Sequence, residues 1–225
     1  MKIERWGRID YPTAHARMRA ALESRIRGEA DDALFLCEHD PVYTLGRRRG
    51  AEQNVLDPGG VPVISVERGG DVTFHGPGQV VAYPVVWLPP GRQDLHAWLR
   101  GLEDVLIDTL ARFGVLGERD ARNTGVWVGG RKIGAIGVAC RSWVTWHGVA
   151  LNVTTDLDHF RRIHPCGLDS ALTTRLADHL DPCPALDAVG DTLAQAFESW
   201  WSAQRSGLAE ASGSSGLFPK SVALQ

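Results

Sequence analysis

Between Asp94 and Phe113, apolar residues recur at steps of three and four: Leu95, Trp98, Leu99, Leu102, Val105, Leu106, Leu110 and Phe113. That is the period of a helix with one face against a core, and Gly114 ends the run as glycine does just past a helix. A second stripe (Met18, Ala21, Leu22, Ile26) predicts a helix from Pro12 to about Gly28. A third, carrying Leu193, Phe197, Trp200 and Trp201, predicts one from Asp187 to Gln204. Proline early in the first of these suits a first turn, where its missing N–H costs nothing. Ala33 to Cys37, Val61 to Val66 and Gln79 to Leu88 are short runs rich in β-branched and aromatic residues and predict strands. Val126 to Val128 and Lys132 to Ala139 flank Gly129-Gly130-Arg131, a hairpin signal, and Gly148 to Val153 predicts the next strand. His39 to Gly46 starts as a turn, Arg47 to Asn54 predicts a loop, and Leu168 to Leu180 fits either loop or helix. The elements do not alternate strictly as βαβ. The expected fold is therefore α+β, with a mixed, largely antiparallel sheet flanked by helices.

Composition narrows the class. The 225 residues are 44% hydrophobic with a net charge of −3, so one domain can bury an adequate core without disulfides or a structural metal. No nucleic-acid footprint is expected from that charge. No apolar run reaches the length of a membrane span, and Met1-Lys2-Ile3-Glu4-Arg5 has no apolar signal core. Neither membrane nor secretion is expected, and a cytoplasmic location is. From Ser206 the sequence turns to Gly, Ser and Ala, so residues 1–205 are expected to form a single domain and 206–225 a poorly ordered tail. With no heptad or long exposed apolar helix, a monomer is expected.

Three segments could carry chemistry. Arg68-Gly69-Gly70-Asp71-Val72-Thr73-Phe74-His75-Gly76-Pro77-Gly78-Gln79 packs four glycines and a proline between two strands, which suits a long hairpin loop or a close approach to a ligand. It is not a P-loop, since no Gly-Lys-Ser/Thr follows. His164-Pro165-Cys166-Gly167 sets a thiol between residues that rule out a packed strand centre, unlike Cys37 and Cys140 in apolar strands or Cys183 in a loop. A free thiol is only a few per cent thiolate at neutral pH, so as a catalyst it needs a base or cation beside it. Of the 24 basic residues only Lys2, Lys132 and Lys220 are lysines, and Lys132 alone lies away from the chain ends. In a chain that otherwise uses arginine, an interior lysine points to a role that needs a cation able to lose its proton. His15, His96, His159 and His179 read as surface residues, and no metal-ligand spacing occurs. Arg47-Arg48-Arg49 reads as a solvated loop that could also face an acidic partner.

Taken together, several stretches resemble the lipoyl(octanoyl) transferases. These are Tyr43-Thr44-Leu45-Gly46-Arg47, Arg68-Gly69-Gly70 with Thr73 to Gln79, and Tyr83-Pro84. The match continues through Gly130-Arg131-Lys132-Ile133-Gly134-Ala135-Ile136-Gly137, Thr145-Trp146-His147-Gly148-Val149-Ala150-Leu151-Asn152 and Pro165-Cys166-Gly167. In order and spacing they cover about residues 35 to 180. The resemblance implies the biotin/lipoate protein ligase-type fold with no cofactor. It also implies the reaction: an octanoyl group passes from octanoyl-acyl carrier protein to a lysine of a lipoyl domain, in 2-oxoacid dehydrogenase subunits or the glycine cleavage H protein. It implies Cys166 as the acyl-thioester nucleophile and Lys132 as its proton-handling partner. Arg68, Gly69, Gly70, Asp71, Val72, Thr73, Phe74 and His75, with Ala135, Ile136, Gly137, Gly148, Val149 and Ala150, are implied as the acyl pocket.

These residue types suit such roles. Exchange of one thioester for another is nearly isoenergetic, and amide formation from a thioester is downhill, so neither step needs ATP. A thiolate is both nucleophile and leaving group. Lysine can stabilise it as ammonium and accept a proton as amine, where arginine could do only the first. Glycines 134, 137 and 148 are expected to leave room for a straight eight-carbon chain. Two alternatives stay open at this point: an ATP-dependent lipoate or biotin ligase of the same fold, and a non-catalytic acyl-binding module.

Overall fold

The long apolar stripe forms helix α2, Leu95–Ala111, and its start is set by Asp94, whose carboxylate accepts from the backbone N–H groups of His96 and Ala97. The computed structural model describes residues 1–164 and 170–211. Helix α1, Tyr11–Ile26, starts the same way, with Asp10 accepting from Thr13 and Pro12 in the first turn. Helix α3, Leu186–Ala211, is the last element. It runs past residue 206, where the tail was expected to begin: Leu208-Ala209-Glu210-Ala211 is a run of strong helix formers, and the Ser/Gly-rich sequence takes over only from Ser212.

Seven strands form the main sheet in the order β1-β2-β6-β10-β9-β8-β7. They are β1 (Lys2–Ile9), β2 (Ala33–His39), β6 (Gln79–Val85), β10 (Val144–Asn152), β9 (Arg131–Arg141), β8 (Asn123–Val128) and β7 (Glu118–Asp120). Only β1 and β2 are parallel, and they are joined through α1; every other neighbouring pair is antiparallel. A smaller sheet, β4-β3-β5, is built from β3 (Val42–Leu45), β4 (Val63–Ser65) and β5 (Val72–His75).

Side-chain alternation divides the core in two. Leu34 and Leu36 of β2, with Val80 and Ala82 of β6, pack under α2 and α3. Phe35 and Cys37, with Val81, Tyr83 and Val85, pack under Ala14, Met18 and Leu22 of α1. β6 and β10 are thus covered on both faces, and every residue of each is buried. β6 reads as a nearly continuous apolar run and was visible in the sequence, whereas Thr145, His147 and Gly148 break the pattern of β10, of which only the part from Gly148 was expected.

Strand β1 was not expected. It is an edge strand whose residues are mostly exposed, with a bulge at Gly7 (φ 63°), so backbone pairing holds it and no hydrophobic period marks it. β3 falls where a turn was expected to open, because a four-residue strand just after Pro41 gives too short a pattern. The hairpin between β8 and β9 is as expected, with Gly129 and Gly130 both at positive φ (55° and 73°), the conformation a two-residue turn requires.

Candidate active site

Lys132 is the second residue of β9, placed there by the Gly129-Gly130 turn. Its ammonium donates to the Asn123 Oδ1 (2.6 Å) and to the Thr124 carbonyl (2.8 Å), and lies 6.0 Å from the Trp127 ring centre. Gly125, at φ 138°, makes room for the lysine stem: a Cβ there would sit 2.6 Å from Lys132 Cε and closer still to the Gly134 carbonyl oxygen. The Gly125 N–H is fixed by the buried Glu103 carboxylate (3.0 Å), which also accepts from Arg100 and Arg119.

Beside Lys132 opens a cavity of about 90 Å³ between β9, β10, β6 and the Arg68–His75 segment. Apolar side chains such as Val72, Val81, Ile133, Ile136 and Val149 supply much of its wall. Of the fourteen residues expected in an acyl pocket, all but Gly69 and Phe74 line this cavity, and Lys132 lines it too. Gly69 instead donates its N–H to the Val138 carbonyl (2.8 Å). Phe74 turns to the other face of β5 and stacks on His159, with ring centres 4.2 Å apart, inside a separate cluster with Tyr43 and Phe160.

Arg68 is a buried pin rather than an exposed charge. One end of its guanidinium donates to the Thr44 carbonyl (2.7 Å) and Oγ1 (2.8 Å), the other to the Asp71 carbonyl (2.8 Å), tying the glycine-rich loop to β3. The buried Asp71 carboxylate accepts from Asn54 (2.7 Å) and the Val72 N–H (2.7 Å), with Arg48 3.3 Å away. Gly134, Gly137 and Gly148 line the cavity and also let other parts of the protein approach closely. A Cβ on Gly134 would meet Leu106, one on Gly137 would meet Arg68, and one on Gly148 would lie 2.6 Å from Pro84 Cδ and closer still to the Ala82 carbonyl oxygen. In each case the space a side chain would fill is taken by the protein.

His75 and His147 line the cavity, and His39 stands behind them against Tyr83. His75 Nδ1 donates to the Gln79 Oε1 (2.7 Å), because the Gln79 amide nitrogen is used toward the Phe74 carbonyl and the Asn152 Oδ1. Burial, with His39 close by, pushes the His75 pKa down to about 3. His39 donates from Nδ1 to the Ile9 carbonyl (2.9 Å) and accepts from the Tyr83 hydroxyl (2.7 Å); burial lowers its pKa as well. His147, at φ 56°, is likewise pushed to about 3, first by burial and then by His15 and Arg68. His147, Gln79, Tyr83, Asn152 and the Asn123 acceptor were not picked out from the sequence. The first four lie inside the matched stretches, and only their buried polar character could have marked them. Of the four histidines expected at the surface, only His96 is exposed; His159 stacks on Phe74, His179 meets the Thr174 hydroxyl (3.0 Å), and His15 contacts Glu67 (2.8 Å).

Cys166, with Pro165 and Gly167, lies outside the described residues. The chain on either side of it is fixed. Ile163 bridges to Val55, and the His164 N–H donates to the Asn54 carbonyl (2.8 Å). After it, Thr173 bridges to Lys132, and the Thr174 N–H donates to the Lys132 carbonyl (2.9 Å). Phe160, Leu172 and Thr173 all line the cavity. The three described cysteines, Cys37, Cys140 and Cys183, each have the thiol pKa raised by burial.

Residues 10–198 match the sequence model of a family described as lipoyl protein ligase A/B catalytic domain. An octanoyltransferase of Gloeobacter violaceus is 48% identical over 194 residues, 85% of this chain and 86% of that one. One from Geobacter metallireducens is 47% identical over 177 residues, covering 79% and 82%. Among solved structures, a lipoate-protein ligase A bound with ATP superposes with a TM-score of 0.71 at 19% identity, covering 89% of this chain and 86% of that one. A putative lipoate protein ligase from T. acidophilum with bound lipoic acid gives 0.70 at 18%, covering 89% and 85%; likeness at this identity speaks for the fold alone.

Proposed function

The chain belongs to the lipoyl protein ligase A/B catalytic family, and we propose that it is an octanoyltransferase working through a thioester on Cys166. It is an acyltransferase that moves an octanoyl group to lipoyl domains; acyl carrier protein is the proposed donor. The observation that carries the mechanism is Lys132. It is the one lysine away from the chain ends, its amine is aimed by Asn123 and Thr124, and it stands at the wall of a largely apolar cavity. The described residues on either side of the stretch bearing Cys166 include Phe160, Leu172 and Thr173, all of which line that cavity. Burial raises the pKa of the three other thiols and makes each a poorer nucleophile, which supports the assignment of Cys166 that the resemblance implies.

In the first half-reaction the Cys166 sulfur attacks the donor thioester carbonyl. Its C–S bond forms as the donor's C–S bond breaks, and the Cys166 proton passes to the departing carrier thiolate by way of Lys132. In the second, the acceptor lysine amine attacks the Cys166 thioester, Lys132 as free amine takes the proton, and the amide forms as the thiolate leaves. Burial holds the cavity-lining His75 and His147 neutral, so neither adds a charge beside an alkyl chain.

Among the described residues no helix is long and apolar enough to cross a membrane. Their exposed large hydrophobic residues, such as Leu56, Leu116 and Trp143, are few. The scarcity of exposed large hydrophobic residues fits a monomer, and a cytoplasmic location is proposed with it. The test is a mass spectrum of the enzyme after incubation with octanoyl-acyl carrier protein. Wild type gains one octanoyl group and Cys166→Ala gains none. An unmodified wild type, or product formed from ATP and free octanoate, would replace this scheme with that of a ligase.

A further inference from the structure

Three side chains far apart in sequence meet beside the cavity: His15 of α1, Glu67 just after β4, and His147 of β10. Their ligand atoms all lie within 4.8 Å of one another; His15 Nε2 is 2.8 Å from Glu67 Oε2, and His147 Nε2 is 3.8 Å from the same oxygen. We propose that His15, Glu67 and His147 form a binding site for a divalent transition-metal ion of the Zn²⁺ type.

Zinc–nitrogen and zinc–oxygen bonds of about 2.0–2.2 Å put tetrahedral ligands about 3.3 Å apart, so the observed separations need adjustments of about half an ångström for the two measured pairs. Imidazole and carboxylate donors suit zinc, and three protein ligands leave a fourth position open. The donors are already held. The His147 backbone N–H donates to the Met18 Sδ (3.2 Å), which ties that strand to the helix bearing His15. The two imidazole rings lie 5.9 Å apart with Trp146 against both. Glu67 precedes Arg68, itself pinned to Thr44. Buried His147 Nε2 has no hydrogen-bond partner, an unusual state for a polar atom and one a metal bond would satisfy. Half-exposed Glu67 gives an ion a way in from solvent. Arg68 nearby opposes a cation and the Glu67 carboxylate offsets it. The spacing 15, 67, 147 forms no sequence motif, because the ligands come from three separate elements.

The experiment is titration of the full chain with Zn²⁺, and with Co²⁺ as a visible reporter. Wild type and Cys166→Ser should each bind one equivalent with the same affinity. Co²⁺ should show d–d bands without the near-ultraviolet charge transfer of a thiolate ligand. His15→Gln and Glu67→Gln, both near the surface and checked for unchanged circular dichroism, should each bind at least about tenfold more weakly. Retention of wild-type affinity in either variant, loss of binding in Cys166→Ser, or no binding to wild type overturns the proposal.

Discussion

Replacing Gly125 by alanine tests how Lys132, the proposed proton carrier, is held. The residue sits at φ 138°, a region an L side chain enters at a cost of about 1–3 kcal/mol. The new methyl would also lie 2.6 Å from Lys132 Cε and against the Gly134 carbonyl oxygen, which belongs to the backbone of a paired strand and cannot swing aside. Overpacking of this kind costs about another 1–3 kcal/mol. The expected destabilisation is therefore about 2–6 kcal/mol, or at least about 4 °C in melting temperature for a chain of this size. The lysine stem is the softer of the two obstacles, so much of the strain should be relieved by moving Lys132 away from Asn123. A displacement of about 1 Å in a catalytic group costs about 100-fold in rate. Two measurements separate the effects: urea denaturation for stability, and single-turnover octanoyl transfer at a temperature where the variant is fully folded. A Gly125→Ala protein with wild-type stability and wild-type single-turnover rate would refute this account of how Lys132 is positioned.

Other expectations follow from the same geometry. Lys132→Arg keeps the charge and loses the ability to accept a proton, so transfer should fall by about 10²–10⁴-fold with the fold intact; near-normal activity would remove Lys132 from the mechanism. Glu103→Gln weakens the anchor of Gly125 and should cost about 1–3 kcal/mol in denaturation, less than a fully buried ion pair because Arg100 and Arg119 reach solvent. His75 and His147 are held near pKa 3 when folded and return to about 6.5 when unfolded, so the unfolded chain binds more protons between those values. Stability should be full above about pH 6.5 and fall as pH drops toward 3, and His75→Gln should flatten that slope in melting curves.

The parts of the fold legible in the sequence are those whose side chains are sorted by burial. Helix α2 and strands β6 and β9 were found because one or both of their faces meet the core. β1 escaped because its core-facing residues, Ile3, Trp6 and Ile9, fall out of strict alternation across the bulge at Gly7, and β3 because four residues carry too little pattern. Within the site, Lys132 stood out by its chemistry alone, as a lysine among arginines. Asn123 and Thr124, which aim it, did not, since a side-chain amide and a backbone carbonyl become acceptors for a particular amine only once the chain has folded around it. The glycines were legible only in part for a related reason: their presence is visible in a sequence, but the neighbour that packs against each one is not.

The interval from residue 163 to residue 173 is moored at both ends, to Val55 and Asn54 on one side and to Lys132 itself on the other. On the proposed mechanism the number of residues between these moorings matters as well as their identity. Adding or deleting a single residue there is expected to leave the sheets and helices intact and to abolish octanoyl transfer. Natural variation in length should accordingly gather elsewhere on this chain and spare that interval.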